Sequence, residues 1–164
     1  MCAGRAAGTP IHSGCRGGYG YFGSVDVIRL IAIRDRPLSV DEVQRAVADP
    51  AAGAIALFAG TVRSDDHDRP VTRLSYSAHP SAETELRRIA EKVAAGFPVR
   101  GLAAVHRVGD LAIGDFAVVA AVSCPHRAEA LECCRLLIDE IKAGVPIWKH
   151  QYFRDGSDEW VNSA

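Results

Sequence analysis

Strand-like and helix-like stretches are interleaved along this chain without a strict alternation, which predicts an α+β sandwich with helices packed on a largely antiparallel sheet. Three observations carry that expectation. Seven apolar or alternating runs have strand length, three stretches carry an apolar stripe or a cap of helical type, and Gly, Pro and Asp separate them. At 164 residues the chain is most simply one domain, long enough to bury a core.

The elements follow in order. Residues 1–24 are rich in Gly, Ala and Ser without an apolar period, and are expected to be a disordered extension ahead of a domain over 25–164. Val25 to Ile33 alternates as a first strand. Ser39-Val40-Asp41-Glu42 matches a capping box and opens a short helix to about Asp49. Gly53 to Arg63 is apolar almost throughout, the pattern of a strand buried on both faces with a charge at its end. The polar run Ser64 to Pro70 reads as a mobile loop, and its Asp and His residues lack a second ligand cluster that would argue for a metal. Val71 to Ala78 is the next strand. A helix begins at His79-Pro80-Ser81, with Leu86, Ile89, Ala90 and Val93 on one face, and stops at Gly96 and Pro98. Strands over Gly101–Val108 and Phe116–Ser123 are joined through Gly109-Asp110 and Gly114-Asp115. A third helix, from about Pro125 to Ala143, is expected to bury Leu131, Cys134, Ile138 and Ile141. Pro146 to Phe153 and Asp158 to Val161 are the last strands, with a turn at Asp155-Gly156.

Composition removes several function classes. A formal net charge of −1 gives no general attraction to nucleic acid or to an acidic membrane surface. No apolar run approaches the roughly 20 residues of a membrane span, and the N-terminus lacks the apolar core of a signal peptide, so a cytoplasmic location is expected. The cysteines, Cys2, Cys15, Cys124, Cys133 and Cys134, show no C-x-x-C spacing, which argues against a zinc site or a disulfide framework. Adjacent Cys133 and Cys134 should point to different sides of their helix.

The most informative stretch is Ile141 to His150. It ends a helix, turns at Gly144 and Pro146 and enters a strand, so Lys142 and Lys149 can meet at one rim. Two ammonium groups held close lower the pKa of at least one, and such a lysine can work as acid, base or nucleophile. The plainer alternatives are a lysine complementing a helix dipole and another guarding a sheet edge. Ser123-Cys124-Pro125-His126-Arg127 hands a strand over to a helix N-terminus, where free N–H groups favour an anion and His126 and Arg127 add donors. Arg63 is another basic group at a strand mouth, and Phe58 and Trp148 offer flat apolar surface, with core packing as the alternative role. Together these residues suggest a small phosphorylated, ring-containing ligand without naming a reaction.

At these positions the chain resembles the large, catalytic subunit of molybdopterin synthase. The matching segments are Phe58 to Arg63, Leu74 to Pro80, Val105 to Gly109, His126-Arg127, and Lys142 with Pro146-Ile147-Trp148-Lys149, in the family's order from about Val25 to Val161. The resemblance implies an α/β hammerhead-type fold and a homodimer. Each end of the dimer would bind a ubiquitin-like small subunit, giving a heterotetramer. That partner would bring sulfur as a C-terminal thiocarboxylate for transfer to cyclic pyranopterin monophosphate, which is substrate rather than cofactor; no cofactor or metal is implied. By position, Lys149 and Lys142 would be catalytic, Arg63 and Phe58 would line the pocket, and His126 and Arg127 would bind the substrate phosphate, from the opposite protomer. His106 and Arg107 also match and read as structural or partner-facing.

Two departures from the family and two rival functions stand beside this. The segment before Val25 has no counterpart in the typical family core. The sequence ends at Ala164, where many relatives continue with another basic pocket residue, and Arg154 is a candidate substitute. One rival is a persulfide sulfurtransferase using Cys124, whose thiol a helix N-terminus could acidify. The other is a non-catalytic adaptor for a ubiquitin-like protein.

Overall fold

A computed structural model describes residues 27–162, so the extension expected over 1–24 lies outside the described residues, as do the first two residues of the strand read from Val25. The first sheet has the order β1-β5-β7-β2, built from β1 (Ile28–Arg34), β5 (Gly101–Arg107), β7 (Phe116–Cys124) and β2 (Ala54–Thr61). β1 and β5 run parallel, and the other pairs are antiparallel. Helices cover both faces. α1 (Val40–Ala46) packs Val43, with Leu38 and Val47 from its flanks, on Ala103, Val105, Val119 and Ala121. α2 (Ala82–Ala94) and α3 (Arg127–Gly144) pack on the other face, against Leu102, Ala104, Ala120 and Val122. Successive residues of β5 and β7 thus serve opposite cores, as a period of two requires.

The second sheet has β3 (Asp65–Asp66), β4 (Arg69–Ala78), β8 (Ile147–Phe153) and β9 (Asp158–Asn162) in order, with β6 (Gly109–Leu111) also paired to β4. Val62, Leu74, Leu111 and Ala117 form a small core where the two sheets meet.

Local signals explain most elements. Ser39 caps α1, its hydroxyl accepting from the Glu42 N–H at 3.2 Å. The stripe Leu86, Ile89, Ala90 and Val93 of α2 is buried as expected.

Four expectations need correction. β2 is an edge strand. α3 covers the face carrying Ala56, but seven-residue α1 only brushes the other, leaving Ile55 and Leu57 42% and 37% exposed. The 64–70 stretch is a hairpin rather than a loose loop: His67 and Asp68 adopt φ of 51° and 63°, the paired positive values of a tight two-residue turn, and Asp65-Asp66 pairs with Arg69-Pro70. On α3 the buried stripe is Ala130, Cys133, Cys134, Leu137, Ile138 and Ile141; Leu131 sits at its rim and is 63% exposed. Cys133 and Cys134 are therefore both buried, because the stripe is wide enough to take adjacent positions.

Candidate active site

The helix–turn–strand expected around Gly144 and Pro146 is present. α3 ends at Gly144, the Val145 N–H bonds to the Ile141 carbonyl at 3.0 Å, and β8 starts at Ile147. Lys142 stands exposed on the last turn of α3, and Lys149 is half-buried in the middle of β8. The two ammonium groups are close enough to act on each other, and the Lys149 amine is held below the usual lysine value. Burial is the leading cause. The Asp66 carboxylate pulls it back up, and Arg63 and then Lys142 press it down. The expected lysine–lysine effect is therefore present but secondary to desolvation.

Beside Lys142 a cleft of about 110 Å³ opens between the sheet and α3, walled by Phe58, Thr61, Val118 and Ile138, with Tyr76 and His106 also lining it. Lys149 lies directly across the β4–β8 ladder from Tyr76, so the two side chains leave the sheet on the same face. Tyr76 meets the His106 ring edge-on, with centroids 5.0 Å apart. Burial pushes the Tyr76 hydroxyl up to about 12 and His106 down to about 4, so both stay neutral at physiological pH. His106 Nδ1 lies 2.8 Å from the Arg107 carbonyl oxygen. A carbonyl only accepts, so Nδ1 carries the proton. Arg107 is structural, its guanidinium donating to Asp115 Oδ2 at 2.9 Å and to the Asp110 carbonyl.

A larger and more open hollow of about 410 Å³ lies between β1, the end of β4 and the start of α2. Glu83 and His79 line it without any lysine or arginine, so it lacks the fixed positive charge that an anionic ligand needs.

The structure brings Lys142, Lys149, Arg63 and Phe58 to one side of the molecule. It does not bring His126 and Arg127 there within a single chain. They begin α3 and Lys142 ends it, about 22 Å away at 1.5 Å per residue. Both are exposed, and His126 makes no side-chain hydrogen bond to the helix start. Trp148 leaves β8 on the face opposite Lys149 and does not line the cleft. Arg154 follows the far end of β8, about 17 Å along the strand from Lys149, with its N–H on the Pro70 carbonyl, so within one chain it stands away from this rim. Cys124 is fully buried, and burial pushes its thiol up, opposite to what a sulfur-carrying nucleophile requires.

Two residues that contact the cationic rim were not singled out by the sequence. Asp66 accepts from Arg63 Nη2 at 2.7 Å and from Gln151 Nε2 at 2.8 Å, and Gln151 is buried two positions along β8 from Lys149. The period of two after Lys149 was the available signal for Gln151; nothing local marked Asp66.

Comparison with known proteins places this geometry. The model of the MoaE protein family matches residues 33–144. The chain belongs to the MoaE family. It is 41% identical over 132 residues to the "Molybdopterin synthase catalytic subunit" of Bos taurus, covering 80% of this chain and 70% of that protein. The crystal structure of molybdopterin synthase from Staphylococcus aureus superposes with a TM-score of 0.76 at 32% identity, over 80% of this chain and 96% of that one. A complex of subunits 1 and 2 of molybdopterin-converting factor from Helicobacter pylori matches in fold, with a TM-score of 0.60 at 24% identity over 83% of this chain and 89% of that chain. The MoaE-family likeness bears out the α+β, hammerhead-type expectation.

Proposed function

We propose that this chain is the catalytic subunit of a molybdopterin synthase, an enzyme that transfers sulfur to cyclic pyranopterin monophosphate in molybdenum cofactor biosynthesis. The observation that carries this reading is the cationic rim of Lys142, Lys149 and Arg63 beside a narrow, largely apolar cleft, in a chain of MoaE family sequence. A cleft of this shape suits an extended, small-residue carrier tail, and the amines suit its terminal thiocarboxylate. Sulfur arrives on the partner, so this chain's residues orient and neutralise charge rather than supply the nucleophile. Lys149, half-buried and with a depressed pKa, is the proton-transferring group; Lys142, exposed, steers the carboxylate-like terminus.

The partner in this reading is a ubiquitin-like small subunit, and two such pairs join through a homodimer of this chain. The fold suggests how. β2 is an edge strand with Ile55 and Leu57 open to solvent, a feature that oligomers cover. α3 runs parallel to β2, because both are antiparallel to β7 or follow it in reverse. Two-fold antiparallel pairing of β2 with its copy would set the α3 N-terminus of one protomer beside the α3 C-terminus of the other. His126 and Arg127 of one chain would then face Lys142 and Lys149 of its neighbour, where they would grip the substrate phosphate.

We place the enzyme in the cytoplasm. Cys124, Cys133 and Cys134 are free thiols, and no helix among the described residues is long and apolar enough to cross a membrane.

The test is reconstitution: the full chain is mixed with thiocarboxylated small subunit and cyclic pyranopterin monophosphate, and dithiolene product is measured. Product formation that requires all three supports the reading. Tight small-subunit binding without product would instead favour the adaptor function.

A further inference from the structure

We propose that Asp66 is a positioning residue of this site, whose carboxylate bolts the β3–β4 hairpin to β8 and so fixes where Arg63 and Lys149 stand. The inference rests on the sulfur-transfer reading above and extends it to residues outside the cleft wall.

The geometry is specific. One carboxylate oxygen of Asp66 accepts from Arg63 Nη2 at 2.7 Å, and the other from Gln151 Nε2 at 2.8 Å, joining positions 85 residues apart. The Asp66 side chain is only 14% exposed although it sits on a surface hairpin, and Gln151 is 2% exposed. A buried amide whose donor lost this acceptor would carry a desolvation penalty, so the bolt holds both strands in register. The hairpin itself is pinned from within: the Asp68 N–H donates to Asp65 Oδ1, and the positive φ at His67 and Asp68 closes the two-residue turn. Arg63 is otherwise 72% exposed, and no other hydrogen bond among the described residues fixes its guanidinium. Without Asp66 it would sweep a large volume, and the cleft would lose a fixed charge.

Asp66 also acts on Lys149 electrically. The groups facing the Lys149 amine are Asp66 on β3, Arg63 before it, Lys142 on α3 and Glu159 on β9, with Tyr76 opposite on β4. His67 adds a charge to the Asp66 side when protonated. Of the two carboxylates, Asp66 exerts the larger effect. Removing it leaves Lys142 and Arg63 opposed only by Glu159, so the protonated amine is less favoured and its pKa falls.

The experiment uses the full chain and reads Lys149 directly, by competitive acylation across pH with mass spectrometry of its peptide. Asp66→Asn keeps an acceptor for Gln151 but removes the charge; the Lys149 titration is expected to move down by on the order of one unit. In reconstituted sulfur transfer, the limb of the pH profile that Lys149 governs should move the same way. Gln151→Leu keeps the charge and removes the bolt. Its expected effect is a rise in KM for the pterin on the order of tenfold, with thermal unfolding measured alongside. An unmoved Lys149 titration in Asp66→Asn, or an unmoved KM in a folded Gln151→Leu, would overturn the assignment. The titration needs no turnover, so it tests Asp66 even if wild-type chain makes no dithiolene, an outcome that would sink only the function.

Discussion

The buried imidazole of His106 gives a stability prediction that can be worked through from the structure. The residue is 2% exposed, and burial lowers its pKa to about 4 from the 6.5 of an imidazole in water, while its Nδ1–H bond to the Arg107 carbonyl opposes the shift. Unfolding returns it to water and to the higher value. Between these two values the unfolded chain binds a proton that the folded chain refuses, so stability rises with pH in that window. His106 therefore costs nothing above about pH 6.5 and costs the fold progressively more as pH falls toward 4. The gap of roughly 2.5 units corresponds to about 3 kcal/mol at full protonation of the unfolded state, a sizeable share of a small domain's stability. His106→Asn removes the titration while its amide can still donate to the Arg107 carbonyl. The assay is urea unfolding at several pH values between 4 and 8, comparing slopes rather than absolute stabilities, because the smaller side chain also leaves a cavity. Wild type should lose about 3 kcal/mol more than the variant across the window. Parallel curves would refute the reasoning, since they would mean that His106 titrates alike folded and unfolded.

Further outcomes follow from the same geometry. Lys142→Ala should cut sulfur transfer by on the order of 10²-fold and leave thermal unfolding nearly unchanged, because the side chain is exposed; an equal loss of stability would count against a functional role. Cys124→Ser should leave turnover intact in folded protein, the thiol being buried and its pKa raised, and abolished transfer would revive the persulfide rival. If the site is shared across a dimer, mixing inactive Lys149→Ala with inactive Arg127→Ala chains should restore about a quarter of wild-type activity through hybrid dimers with one intact site. No recovery after subunit exchange would place the whole site in one chain or exclude the dimer.

Much of the fold was legible because its signals are local. A capping serine, a stripe at helical spacing and a Gly–Pro reversal each act over a few residues, so α1, α2 and the α3–β8 turn sit where the sequence puts them. What failed depended on distant neighbours. An apolar run such as Ala54–Thr61 looks alike in a central and an edge strand; only the short reach of α1 exposes Ile55 and Leu57. The 64–70 hairpin lacked an Asn-Gly signal, and besides its local Asp68–Asp65 bond it is tied down by one across 85 residues, from Gln151 to Asp66. The same distinction runs through the site. Lys142 and Lys149 flank one turn and could be paired from spacing, whereas Asp66 could not. The separation of His126 and Arg127 from Lys142 needed only the length of α3, and it makes the second protomer a requirement of the shared-site reading.

In the proposed reaction Lys149, its amine held below the usual lysine value, carries the transfer chemistry. Its most direct test is single-turnover sulfur transfer by Lys149→Ala, with binding of thiocarboxylated small subunit measured on the same preparation. Near-normal binding and no detectable dithiolene product are expected; wild-type turnover in that variant would remove Lys149 from the chemistry.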